Sequence, residues 1–69
     1  MLFTDISSER AINVFSKIGF KIIKPGKHIG MSDGIHRITI PHHKRINPYT
    51  LKAIIKDAGI NDEEFKKLL

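Results

Sequence analysis

Apolar residues recur along the chain with two different periods, and each period is typical of a different element. Over residues 8–18 they return every three to four positions, which predicts a first helix. The apolar positions of this stretch are Ala11, Ile12, Phe15 and Ile18. Ser7 or Ser8 is a suitable N-cap, because a serine hydroxyl accepts a hydrogen bond from the first turn, and Gly19 stands where helices commonly end.

Three β-strands are predicted after this helix. The first covers residues 20–24, which are rich in β-branched side chains and are followed by a Pro-Gly pair. The next two strands flank Asp33-Gly34, a dipeptide suited to a two-residue hairpin turn because both positions of such a turn need positive φ angles. Pro41 ends the third strand, since proline cannot donate to a sheet.

The hairpin turn also predicts which residues of the two strands face each other. With a two-residue loop, Ile29 lies opposite Ile38. The other expected pairs are His28 with Thr39, Gly30 with Arg37, and Met31 with His36. Because side chains alternate between the faces of a strand, one face is apolar and the other is open. The core side comprises Ile29, Met31, Ile38 and Ile40, and the open side comprises His28, Arg37 and Thr39.

Two more helices are predicted in the last third of the chain. Asn47 followed by Pro48 is a typical helix start, and an apolar stripe follows it as far as Gly59. The stripe consists of Leu51, Ile54, Ile55 and Ala58. Asn61, with Glu64 three residues later, predicts a capping box and a short last helix. The apolar residues expected to pack this helix on the core are Phe65, Leu68 and Leu69.

The predicted order is α-β-β-β-α with a short terminal helix, an α+β fold class. Three antiparallel strands need one covered face, and two main helices can cover one. We therefore expect a single domain over residues 1–69, with its helices on one face of the sheet and the other face open. The same element order occurs in double-stranded-RNA-binding domains, which is an analogy of fold and not of function.

Composition narrows the possible partners. The chain has 69 residues, no cysteine and a formal net charge of +5, with a pI near 9.8. Without cysteine it has neither disulfides nor thiolate zinc sites. No apolar run approaches about 20 residues and no leader pattern is present, so we expect a cytoplasmic protein outside the membrane. A basic chain favours a polyanionic partner: nucleic acid first, then a membrane surface or an acidic protein.

The excess charge is concentrated on the hairpin and its flanks. Residues 21–45 hold six lysines and arginines against Asp33 alone, and they also hold all four histidines. His28 on the open basic face is the leading candidate for chemistry, since an unperturbed histidine exchanges protons near neutrality and neighbouring cations disfavour its charged form. Metal-free RNA cleavage needs a base, an acid and cations near the phosphorane. His28 with Lys27, Arg37 or a histidine of the following connector can supply these roles; the alternative is a surface histidine that only contacts phosphate.

The connector after the third strand, residues 41–46, is a second basic segment. His42 and His43 point apart on an extended chain and have few carboxylates nearby, so phosphate contact or a solvated loop is favoured over a metal site. Lys44-Arg45 precede a capped helix, and the loop and helix start together could hold a phosphate. Elsewhere, His36 is interpreted as a half-buried packing residue. Tyr49 is interpreted as core, although it could stack on a base.

Several short motifs resemble the HicA-type mRNA interferase toxins, over nearly the whole chain from about residue 7 to residue 69. The most specific are Gly26-Lys27-His28 on the second strand, Pro41-His42-His43 after the third, and the closing Ala58-Gly59-Ile60 with Glu63-Glu64-Phe65. Shorter matching stretches are Gly19-Phe20, Asp33-Gly34, Thr50-Leu51, Ile54-Ile55 and Asp57. The resemblance implies a double-stranded-RNA-binding-like fold and translation-independent cleavage of RNA. It also implies a HicB-type antitoxin, encoded beside the toxin, that covers the active face.

The resemblance places the family's catalytic histidine, that of a Gly-Ser-His motif, at His28. Lys27 stands where the family commonly has serine, residues 20–28 are about one residue short, and Lys24 stands where an arginine is usual. Pro48-Tyr49 also differ from the usual residues.

These observations together predict an endoribonuclease toxin that cleaves mRNA and inhibits translation, with His28 as general acid/base and no metal or cofactor. The alternatives are a non-catalytic RNA-binding module that uses the same face, and a module that binds an acidic protein. The residues expected to contact RNA are Lys24, Lys27, Arg37, Thr39, His42, His43, Lys44 and Arg45.

Overall fold

The computed structural model describes residues 3–69 and confirms the predicted α+β class and element order. The elements are α1 (Ser8–Lys17), β1 (Lys21–Lys24), β2 (His28–Ser32), β3 (Arg37–Pro41), α2 (Pro48–Asp57) and α3 (Asp62–Leu68). The strands form one antiparallel sheet in the order β1-β2-β3, so β2 is central. Both α1 and α2 pack against β3, on the same side of the sheet.

The predicted helix caps are present. The Ser7 hydroxyl accepts a hydrogen bond from the Arg10 N–H at 3.2 Å, which fixes the start of α1. The Asn47 side chain accepts from the Tyr49 N–H at 2.9 Å at the start of α2. At the start of α3, Asn61 forms the expected capping box with Glu64. Each cap of this kind stabilises a helix by about 1 kcal/mol, so the boundaries follow from local chemistry.

The core lies between the helices and the covered face of the sheet. All four apolar hairpin residues predicted for the core side are buried, as are the predicted stripe of α2 and Phe65 of α3. The ring centroid of Phe65 lies 5.6 Å from that of Phe15, which joins α3 to α1. Leu69 is 41% exposed, so its predicted packing is wrong.

Two buried isoleucines come from segments that the periodicity left outside any element. Ile6 precedes α1 and Ile46 precedes α2, and the Ile46 N–H donates to the Ile6 carbonyl at 2.8 Å. This bond ties the connector to the N-terminal segment and closes one end of the core.

The hairpin register differs by two residues from the predicted one. Ile29 lies opposite Ile40 and not opposite Ile38. The complete set of pairs is His28 with Pro41, Ile29 with Ile40, Gly30 with Thr39, Met31 with Ile38, and Ser32 with Arg37. The turn lies one residue later than predicted, because the Asp33 N–H donates to the His36 carbonyl and the turn is made by the two residues between them. A shift of two keeps every side chain on its predicted face, since side chains alternate with a period of two.

Strand β1 is a short edge strand with a β-bulge. Ile22 pairs with Met31, but the next residue that pairs, Lys24, lies opposite Gly30, so that Ile23 and Lys24 together face one residue of β2. All four residues of β1 are exposed. Lysines at both of its ends and the bulge are typical devices that keep an edge strand from pairing with other chains.

Candidate nucleic-acid interface

The uncovered face of the sheet carries the residues that the sequence analysis placed there. His28, Arg37 and Thr39 are exposed on the side away from the helices, as predicted. His28 is the first residue of β2 and lies opposite Pro41, where the sheet meets the connector. The side chain is therefore accessible at one end of an open and basic surface.

The observed register moves Arg37 away from His28. Arg37 pairs with Ser32, which is four residues along β2 from His28. At the rise of a strand, the backbone positions of His28 and Ser32, and hence of His28 and Arg37 along the strand direction, are about 13 Å apart. The predicted register separated them by half that distance. Thr39, opposite Gly30, is the nearer of the two to His28. Arg37 is thus placed to contact a different part of an extended ligand from the part next to His28.

Next to His28 on the same face lies a shallow depression of about 400 Å³. It is lined by Ile23, Lys24, Gly30, Arg37 and Thr39. Three of these, Lys24, Arg37 and Thr39, were among the predicted RNA contacts, and the structure brings them together. Gly30 forms the floor, and a Cβ added there would lie 3.3 Å from the Lys24 Cβ and 3.6 Å from the Ile23 Cγ1. The β1 bulge is what aims both of these side chains across Gly30.

Lys27 and His42 stand one step beyond the paired strands, at the His28 end of the sheet. The His42 N–H donates to the Lys27 carbonyl at 2.9 Å, which extends the hairpin ladder into the connector. Both side chains are exposed. Main-chain pairing therefore holds Lys27 and His42 at the His28 end of the sheet. By the alternation of the strands they continue the side of Ile29 and Ile40, and not the open face of His28.

The rest of the connector turns away from the open face. The His43 carbonyl accepts the Ser8 N–H at 3.1 Å, and His42, His43 and Lys44 line a hollow at the start of α1. Arg45 forms an ion pair with Asp5 at 3.0 Å, in which both side chains are largely exposed, so that it adds little to stability.

The predicted RNA contacts thus fall into two groups, one on the sheet and one beside α1. The phosphate contact expected of Lys44 and Arg45 at the start of α2 stays a prediction, and the helix start and Arg45, both expected to make it, have other partners. The first N–H groups of α2 are occupied by the Asn47 side chain, and Arg45 pairs with Asp5.

Asp33, the one acid of residues 21–45, serves the hairpin turn. Its Oδ1 accepts the His36 N–H at 2.6 Å and the Ile35 N–H at 2.9 Å. These two bonds hold the pKa of the Asp33 carboxyl below its usual value of 3.8. The His36 Nδ1 lies 3.4 Å from Asp33 Oδ2, and the ring is half-buried as predicted, although its neighbours are Asp33 and Gly59 and not Met31.

Two further observations concern metal binding and membrane spanning. Among residues 3–69, no group of three or more His, Cys, Asp or Glu side chains is arranged to hold a metal ion. None of the helices within that range has the length and apolar character needed to span a membrane.

Two features of the open face and its surroundings were not predicted from the sequence. Ile23 and Gly30 shape the depression, yet Ile23 was read only as a strand residue. A signal did exist: the Lys-Ile-Ile-Lys strand is apolar at adjacent positions, and an edge strand cannot bury both of its faces. Tyr49 was expected in the core, but it is 72% exposed and lies on α2, away from the open face, so that prediction is wrong.

The fold and this face together define a small α+β domain with an uncovered, basic sheet surface. A family model described as the HicA toxin of bacterial toxin–antitoxin systems matches residues 8–60, which is more than half of the chain and includes all three strands and His28. The chain therefore belongs to the HicA toxin family. As a toxin of a toxin–antitoxin system, it is expected to have an antitoxin partner. Comparison with curated proteins and with solved structures finds no match.

Proposed function

We propose that this toxin is an endoribonuclease that cleaves mRNA at the open face of the sheet, with His28 as general acid/base. The observation that carries the proposal is the position of His28. It is exposed at the start of β2, on the face that no helix covers and in the segment that holds the whole net positive charge.

The chemistry requires no group beyond RNA and this chain. A neutral His28 imidazole takes the proton of a ribose 2′-hydroxyl, and the 2′-oxygen attacks the adjacent phosphorus. The bond from phosphorus to the 5′-oxygen breaks, that oxygen receives a proton, and the products are a 2′,3′-cyclic phosphate and a 5′-hydroxyl end. In this proposal Lys27, next in the chain, stabilises the charge on the phosphorane, and Lys27 or His42, its main-chain partner, turns its side chain past the end of the sheet to donate the second proton.

The two groups of predicted contacts take different stretches of the RNA strand in this proposal. Lys24, Arg37 and Thr39 hold nucleotides along the sheet, on one side of His28. His43, Lys44 and Arg45 follow the strand on the other side, past the start of α1. Cations of this kind fix the position of the RNA without reading its sequence. The same surface is the one we propose a HicB-type antitoxin covers in the cytoplasm, which would block access of RNA to His28.

The test compares three chains expressed in bacteria: wild type, His28→Ala and Lys52→Ala. Lys52 is an exposed lysine of α2, outside the proposed interface, and serves as the control for loss of a surface side chain. We expect wild type and Lys52→Ala to arrest growth and deplete mRNA, and His28→Ala to do neither while keeping the wild-type melting temperature. Purified proteins incubated with RNA should show the same order, with cyclic phosphate at the new ends. Equal toxicity of wild type and a folded His28→Ala would remove His28 from the mechanism.

A second candidate function is RNA binding without cleavage. The observation that favours it is that, among residues 3–69, the His28 side chain has no hydrogen-bonded partner to orient its ring, as catalytic histidines usually have. This alternative predicts RNA that stays intact on long incubation with the wild-type protein. Its affinity should fall steeply with salt, because binding releases counterions from phosphate. It should also show weak sequence preference, as recognition of RNA by shape does.

A further inference from the structure

The depression over Gly30 has the form of a pocket for one flat, partly apolar group. Its floor lacks a side chain, and its walls stand on β1 and β3, which are two strand spacings or about 10 Å apart. Ile23 contributes an apolar wall and is 50% exposed, beside the polar and charged side chains of Lys24, Arg37 and Thr39. An isoleucine left half in water at such a place is available for contact with a ligand.

The remaining walls of the depression carry one hydroxyl group and two cationic groups. Thr39 faces Gly30 across the ladder and offers a hydroxyl that both donates and accepts. Lys24 and Arg37 flank the depression and provide two cations. An apolar surface with one hydroxyl and two cations beside it matches an unpaired nucleotide: the base lies against the isoleucine, and the neighbouring phosphates meet the cations.

The distance from His28 fits the same interpretation. Gly30 is two residues along β2 from His28, about 7 Å at the rise of a strand, which is on the scale of one nucleotide. We propose that Ile23, Gly30 and Thr39 form a subsite that binds the base of a single unpaired nucleotide next to the phosphate at His28. This proposal rests on the proposed function for its ligand, and it makes the depression a determinant of which RNA sequences are chosen.

The chain contains a matched control for this subsite. Ile22 and Ile23 are neighbours on the same edge strand and are 51% and 50% exposed. Ile22 pairs with Met31 and therefore faces the side of the helices, whereas Ile23 faces the open side. Replacing either by alanine removes the same atoms from the same strand, and only Ile23→Ala alters the depression.

The experiment measures binding of the full chain to single-stranded 2′-O-methyl oligonucleotides, which cannot be cleaved by a 2′-hydroxyl. The result is thus independent of whether His28 is catalytic. We expect Ile23→Ala to weaken binding by about five-fold and Ile22→Ala to leave it unchanged. The slope of affinity against salt should be the same for both, because neither change removes a charge. Gly30→Val, which fills the depression, should weaken binding at least as much as Ile23→Ala.

A second measurement assigns the lost contact to a base. It uses a series of oligonucleotides that each lack the base at one position. Wild type should bind one of them more weakly than the intact oligonucleotide, and Ile23→Ala should bind that one and the intact oligonucleotide equally well. Equal losses for the two isoleucine variants would overturn the subsite, as would the absence of wild-type binding. Unchanged oligonucleotide binding together with loss of antitoxin binding by Ile23→Ala would assign the depression to the antitoxin and refute the proposal. Failure of the catalytic proposal is detected separately, by a toxic His28→Ala.

Discussion

Gly59 ends α2 directly beside the imidazole of His36, and this contact fixes the tip of the hairpin to the helical layer. A Cβ added at Gly59 would lie 2.7 Å from the His36 Nε2 and 2.9 Å from its Cε1. The ring must turn to admit that Cβ, and turning moves its Nδ1 away from the Asp33 Oδ2, which lies 3.4 Å away. The φ angle of Gly59 is +79°, in the left-handed region that side chains disfavour. Gly59→Ala is therefore opposed by two separate effects.

The size of each effect can be worked out. The left-handed conformation costs alanine about 1–2 kcal/mol. Displacing the His36 ring adds about 0.5–1.5 kcal/mol, the cost of moving a side chain off its preferred rotamer, because the ring is partly exposed and can turn. A domain of this length is stable by only about 3–10 kcal/mol. At about 4–8 °C for each kcal/mol, we expect Gly59→Ala to lower the melting temperature by at least about 6 °C.

A double-mutant cycle separates the two effects. Wild type, Gly59→Ala, His36→Ala and the double variant are unfolded with urea, and the four free energies of unfolding give a coupling energy. Removal of the His36 ring should recover the cost of displacing it, so the double variant should be more stable than the sum of the single changes implies, by about 0.5–1.5 kcal/mol. The control cycle uses Gly19→Ala, since Gly19 also has positive φ, at +102°, but a Cβ there meets nothing within 4 Å. Additive behaviour in both cycles would refute the contact.

Two further changes test the faces and the turn. Ile38→Ala, buried opposite Met31, should cost about 2–5 kcal/mol in urea unfolding, whereas Thr39→Ala on the open face should change stability by less than about 0.5 kcal/mol. Equal costs would contradict the assignment of the faces. The lowered pKa of Asp33 means that its charge stabilises the fold above its usual pKa of 3.8, and that this contribution is lost as pH falls through the lower folded value. Wild type should therefore exceed Asp33→Asn in stability at pH 7, and the difference should shrink towards pH 2 in acid titrations; a constant difference would exclude the charge as its cause.

The sequence predicted the parts of this fold that depend on neighbouring residues. Helix starts follow from an N-cap side chain and the N–H groups two or three residues later, as at Asn47 and Asn61. The buried stripe of α2 follows from the period of a helix. The placement of His28 on the open face follows from the alternation of a strand, and it survived an error in register because that error was an even number of residues.

Features that depend on contacts between distant segments were not predictable in the same way. The register was wrong because the Asp33 side chain stabilises a turn one residue later than the Asp-Gly pattern suggests. Tyr49 is exposed because α2 turns that side away from the sheet. The connector residues were expected to contact RNA, but their position relative to the sheet was not predicted: pairing of Ile46 with Ile6 holds His42, His43 and Lys44 beside α1.

By itself, the sequence determined the order of the elements, their caps, the polarity of each face and the concentration of charge around His28. These are set by interactions within a few residues, whose energies do not depend on the rest of the fold. Only the tertiary structure decided the distance from His28 to Arg37, the division of the basic residues into two groups, and the depression over Gly30. Those depend on loop geometry, a β-bulge and the packing of segments far apart in the chain. A small change in any of these shifts the pairing of the strands by one or more residues, although the hydrophobic pattern of the sequence is unchanged.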